Sequence, residues 1–120
     1  MPTAVNSANS FLNLIYRAIA WANLADNAAS SPATTLDLAL HTAAPASSAQ
    51  TSNEATYTSY TRITITRGPA GWTLPAGGSL NNVALAQFPQ CTGGSNTITH
   101  VSVGQGGTII HYGALSAPVN

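Results

Sequence analysis

Lysine is absent from this 120-residue chain. Its charged side chains are three arginines (Arg17, Arg62, Arg67) and three acids (Asp26, Asp37, Glu54), and they cancel. Charged residues make up 5% of the sequence, against about a quarter in an ordinary soluble domain. Phosphate binding requires clustered lysine or arginine, so this composition excludes a nucleic-acid partner. It excludes a polybasic membrane contact for the same reason. A single cysteine, Cys91, leaves no internal disulfide to form. The apolar run from Phe11 to Ala25 has no basic residue ahead of it and carries Arg17 inside it, which is not the pattern of a signal peptide. It is also too short and too polar to span a bilayer. No repeat of fixed period is present, which excludes a solenoid. What remains is small and polar: Ala, Ser, Thr and Asn supply 58 of the 120 residues. A net charge near zero favours association, which suits a subunit held in an assembly.

A chain of this length buries enough surface for one core. The first segment reads as a helix, with Ser7 or Ser10 as candidate caps. Phe11, Leu14, Ile15, Ala18, Ile19 and Ala22 form its apolar stripe, with Leu12 and Trp21 flanking and Tyr16 and Arg17 opposite. A helix this short is marginal alone, so it docks on its own sheet or on a neighbouring subunit. Asp26 to Pro32 ends it and turns the chain. The remainder is β, with strands predicted at Thr35–His41, Thr61–Thr66, Val83–Phe88, Thr97–Val103 and Thr108–Tyr112. The 42–56 loop is long and polar, a property of functional or mobile segments. The organisation expected is an N-terminal arm and helix over 1–34 and a β domain over 35–120, in one compact unit.

The last two strands predict a hairpin around Gly104-Gln105-Gly106-Gly107. Pairing Val103 with Thr108 sets Val101 opposite Ile110 and His100 opposite His111, with Val101, Val103, Ile110 and Tyr112 sharing the core face. A cross-strand histidine pair offers two ligand positions, but zinc needs three or four. The third histidine, His41, ends a different strand. No metal and no cofactor is therefore assigned. Cys91 has no base or cation close in sequence to activate it and reads as a small apolar plug. The glycine-rich runs at 93–95 and 104–107 do not open helices after strands, so neither cradles phosphate. No serine sits in a nucleophile elbow, and the acids are too few for a paired-carboxylate hydrolase. The residues do not describe an enzyme. Glu54 and Arg62 predict a pair tying the base of the long loop to the sheet. Tyr57, Tyr60 and Trp72 are amphipathic aromatics of the type enriched at interfaces.

Taken in order, Leu40-His41-Thr42, Asn53-Glu54, Tyr57-x-x-Tyr60-x-Arg62 and Gly71-Trp72 form a pattern. Phe88 to Ser95, Thr99-His100 and Tyr112-Gly113-Ala114-Leu115 continue it. From Leu36 to Leu115 the chain resembles a family of small bacteriophage structural proteins described as tail-fibre or minor virion proteins. Family loops carry Asp-Pro-Gly after the Leu-His-Thr; here Ala43-Ala44-Pro45-Ala46 stands instead. Family chains also continue past the Gly-Ala-Leu with a further strand, so either the protein extends past Asn120 or the last sheet is left with an open edge. The resemblance and the composition together imply a mainly β fold, a jelly-roll-like β-sandwich with one N-terminal α-helix. They imply a non-catalytic accessory protein of the virion, attached at the tail or fibre or decorating the capsid, and assembled in the host cytoplasm. Its partners would be other virion proteins and copies of itself, with a host-surface glycan-binding module as the alternative. The candidate assembly residues are Phe11, Ile15, Trp21, Glu54, Tyr57, Tyr60, Arg62 and Trp72.

Overall fold

The computed structural model describes residues 3–25 and 32–120. The fold is mainly β with a single N-terminal helix, as the sequence predicts. Helix α1 spans Val5–Arg17, and strands β1 (Thr35–His41), β2 (Ile63–Thr66), β3 (Ile98–Gln105) and β4 (Thr108–Val119) form one sheet in the order β2-β1-β3-β4. Strands β1 and β3 run antiparallel, as do β3 and β4. The second layer expected of a sandwich is not a second hydrogen-bonded sheet among the described residues. The segment predicted as a strand over Val83–Phe88 stays irregular. Its alternating large residues have no face to bury, with Val83 and Leu85 left 55% and 87% exposed. The chain divides into two compact units. One comprises the described residues up to Thr35 with Thr66–Ala86, the other Leu36–Ile65 with Gln87–Asn120.

In the first unit, α1 begins earlier and ends earlier than its apolar stripe suggests. Its N-cap is Ala4, without a side-chain cap, and not Ser7 or Ser10. Ala18 takes a left-handed conformation (φ 58°), which ends the helix, and Ile19 N–H donates back to Asn13 O at 3.0 Å. Residues 21–25 then fold into a tight turn joined by Trp21 and Ala25. The expected stop from Asp26 to Pro32 lies, up to residue 31, outside the described residues. The buried face also differs. Tyr16 is 4% exposed and meets Trp72 edge-on, ring centroids 4.7 Å apart, whereas Phe11 and Ile19 are exposed. Burial pushes the Tyr16 hydroxyl pKa up to about 12.

What holds the end of this helix is Arg67. Its guanidinium donates from Nη2 to Leu14 O (2.8 Å), from Nε to Ile15 O (2.7 Å) and from Nη1 to Ala33 O (2.6 Å). Gly68 N–H adds a bond to Tyr16 O at 2.9 Å. The last carbonyls of a helix have no partner inside it, and a cation there also opposes the helix dipole. One side chain serves both needs.

In the second unit, β1 is an inner strand with buried residues on both faces. Leu36 and Leu38 are buried on one side, Ala39 and His41 on the other. The β3–β4 hairpin turns through Gly106 and Gly107, both at positive φ (62° and 85°), a two-residue primed turn that suits strand twist. Gln105 pairs with Thr108, and an irregularity follows between Val103 and Gly104. Val103 therefore faces His111, Val101 faces Gly113 and Ser102 faces Tyr112. The expected Val101–Ile110 and His100–His111 pairs do not form: the turn takes two residues rather than four, which moves each partner by two, and the irregularity moves it by one more and so exchanges the faces. Tyr112 stands 56% exposed, and the buried positions of β3 are Ile98, Ser102 and Gly104.

Candidate functional site: a sealed polar network on the sheet

The register of β1 against β3 places Asp37 opposite Gly104, Ala39 opposite Ser102 and His41 opposite His100. Ala39, Ser102 and Gly104 leave a shallow space on that face, and residues 48–54 fill it. Gly104 is required by this close approach: a Cβ there would lie 2.7 Å from Gln50 Cδ and closer still to the carbonyl of Thr108. His41 and Gln50 are fully buried and Ser102 is 1% exposed.

The polar atoms in this space are matched to one another. His41 Nδ1 lies 2.9 Å from Ser52 O, and Nε2 lies 2.8 Å from Ser102 Oγ. A carbonyl only accepts, so Nδ1 carries a proton, and in the neutral ring Nε2 then accepts from the serine hydroxyl. Gln50 Nε2 donates to Asp37 O at 3.1 Å and to Ser102 Oγ at 3.2 Å. Arg62 Nη1 reaches Gln50 Oε1 at 3.5 Å, while Nε and Nη2 form a bidentate pair with Glu54 at 2.6 and 3.0 Å. Tyr60 OH donates to the same carboxylate at 2.8 Å and accepts from Leu40 N–H at 3.2 Å. Burial raises the Glu54 pKa, but the hydrogen bonds from Arg62 and Tyr60 outweigh it, and the carboxyl sits below its ordinary value. The bond to Glu54 holds the Arg62 pKa up. Burial first, and Glu54 in addition, keep the Tyr60 phenol protonated well above its usual range.

The loop of 42–54 is thereby folded back on the strand it leaves. His41 and Glu54 form a bridge, Thr42 N–H donates to Asn53 O, and Ala55 N–H donates to Leu40 O. Asn53 makes the return possible with a positive φ of 54° and a side-chain bond to Ala44 O. Tyr57 OH donates to Pro89 O at 2.8 Å, and Tyr60 stacks on Phe88 with centroids 6.3 Å apart. Asn96 Oδ1 accepts from the N–H groups of Thr56 and Tyr57.

Of the residues singled out from sequence, Glu54, Tyr57, Tyr60 and Arg62 are brought together in the second unit. Phe11, Ile15, Trp21 and Trp72 belong to the first. Trp72 is buried there against Tyr16. His41, Gln50 and Ser102 were not identified as a group by sequence. Their signal was faint: a histidine ending an alternating strand, and a strand whose second face is His100, Ser102 and Gly104 while its first is Val101 and Val103. Among the described residues no three His, Cys, Asp or Glu side chains converge as a metal site would need, and no helix is long and apolar enough to cross a membrane.

A serine donating to a histidine whose other nitrogen is fixed by a carbonyl has the polarity of a nucleophile and its base. Here the serine hydroxyl is spent on His41 and Gln50 and shut away from solvent, so the arrangement holds a loop on a sheet. Fold and site describe a β module with a polar network turned inward. The family profile described as podophage GP4 fiber I protein gp80 matches residues 7–120, and the chain belongs to that family. It is a phage structural fibre protein, a component of the virion. No curated protein and no solved structure matches it.

Proposed function

We propose that this chain is a non-catalytic subunit of the tail-fibre apparatus, held by contact with other virion proteins and with copies of itself and assembled in the host cytoplasm. The observation that carries this reading is the sealing of His41, Gln50 and Ser102. These three polar groups hold the protein together and face no substrate. Large apolar side chains stand outside instead, Leu24, Leu74, Leu85 and Tyr112 among them, and exposed apolar surface marks contact sites. A glycan-binding role is less well supported, because the hydroxyls of Tyr57 and Tyr60 are turned into the protein. Membership of a fibre family favours the tail over capsid decoration.

The test is location in the particle. Antibody labelling of purified virions, read by electron microscopy, should place the chain at the tail. Labelling spread over the capsid shell, or absence of the chain from the particle by mass spectrometry, would overturn the reading.

A further inference from the structure

The outer strand β4 is long and almost bare. Residues 111–114 are exposed on both faces. Its outer edge is covered at one end, where Ser48 O accepts from Ile109 N–H at 2.7 Å and Ala49 bridges Thr108. Past Ile109, among the described residues, no strand lies beyond β4 in the sheet. An open groove of about 360 Å³ begins there, lined by Pro45, Ser47, Ile109, Ile110 and Tyr112 among others. Exposed edges are ordinarily guarded by charges, yet no charged side chain occurs from 105 to 120.

We propose that this edge pairs with β4 of a second copy, antiparallel about a two-fold axis at Gly113. Two features select a second copy as the occupant. Identical strands meet without like-charge repulsion, because neither carries a charge. The size pattern is also self-complementary. With Gly113 opposite its own copy, Tyr112 of each chain lies over Ala114 of the other, Ile110 over Ser116, and His111 over Leu115. Large side chains thus meet small ones in the Tyr112 and Ile110 pairs, and the Tyr112 rings flank the glycine pair. The Ser48 contact ends the pairing at Ile110, so it runs over 110–116 in each strand. Such isologous pairing by strand addition closes both edges at once. It rests on the fibre-subunit reading but fails separately from it: a chain at the tail that does not pair through β4 would leave that reading standing.

The test uses the full chain. Sedimentation should give twice the 12.2 kDa chain mass. A side chain at Gly113 meets nothing within 4 Å in the single chain, so substitutions there leave the fold intact. Gly113→Lys should return the protein to single chains with an unchanged circular dichroism spectrum. Gly113→Cys in a Cys91→Ser background should form a disulfide-linked dimer about tenfold faster or more than Ala70→Cys, an exposed control outside the sheet. A wild-type protein that stays a single chain at high concentration would overturn the proposal. So would an assembly that survives Gly113→Lys, or cross-linking no faster at Gly113 than at Ala70.

Discussion

His41 Nε2 and Ser102 Oγ lie 2.8 Å apart across neighbouring strands, and water reaches neither residue. Ser102 is the only described partner of that nitrogen, and it also accepts from Gln50. Ser102→Ala should leave a buried acceptor and a buried donor short of partners at once. The expected loss is about 1–3 kcal/mol, measured by urea denaturation with an unchanged slope. A loss of a few tenths would mean that the network relaxes around the gap.

Glu54 and Arg62 should be energetically coupled, since their contact is bidentate and partly buried, with 16% and 26% of the side chains exposed. A double-mutant cycle with Glu54→Gln and Arg62→Ala should return a coupling of about 0.5–3 kcal/mol. Arg62→Ala should also raise amide exchange in 42–54 more than in β3. Additive effects would show that the pair contributes nothing of its own.

Acidification should reach the same loop. The Glu54 carboxyl is held below its ordinary value of 4.5. Its contribution to stability is therefore complete above that value and is lost as pH falls through the lowered one. Glu54→Gln should flatten this part of the stability profile below about pH 4.5. A variant that keeps the wild-type acid dependence would show that Glu54 does not carry it.

Gly104→Ala should be among the costliest single changes. The added methyl would press on Gln50 and on the Thr108 carbonyl, which closes the hairpin turn. Overpacking of this kind costs about 1–3 kcal/mol or more, and backbone shifts should appear at Gln50 and Thr108 amides in NMR spectra. Gly113→Ala in the same hairpin, with open space around it, serves as the mild comparison.

Arg67→Ala should release the end of α1 without unfolding the sheet. Three carbonyl bonds vanish together, and a hydrogen bond to a charged group contributes about 1.5–3 kcal/mol net of its exchange with water. Faster amide exchange over residues 14–19, with β1 and β3 unchanged, is the expected signature. Uniform destabilisation of every amide would show that the two units unfold as one.

Much of this was open to reading in the sequence. Thr35–His41 announced itself by alternation, and the Glu54–Arg62 pair by the scarcity of other charges. The mainly β class and the single helix followed from periodicity alone. The rest depended on contacts that no local pattern carries. Tyr16 read as solvent-facing because its partner, Trp72, lies 56 positions away in the chain. Val83–Phe88 had a strand's alternation but nothing to bury its large residues. The hairpin register turned on a two-residue turn where glycines spread over four positions, and on a one-residue irregularity beside Gly104 that periodicity cannot place. Gln50 sits in a stretch of Ala, Ser and Thr and had no signal at all. Its place is fixed by the room left at Gly104 and Ser102.

A module centred on histidine, glutamine and serine, with Leu36, Leu38, Ala39, Ala55 and Ile98 as its buried aliphatic residues, has a distinctive thermal signature. Exposing apolar surface raises the heat capacity of unfolding and exposing polar surface lowers it, for an average near 12–15 cal/mol/K per residue. Opening this centre releases comparatively little oil and much hydrogen-bonded surface, so the increment should fall below that average. The stability curve then has little curvature, and warming or cooling changes it slowly. For a part of a particle that meets its host at whatever temperature the surroundings impose, evenness across the range is worth more than a high maximum.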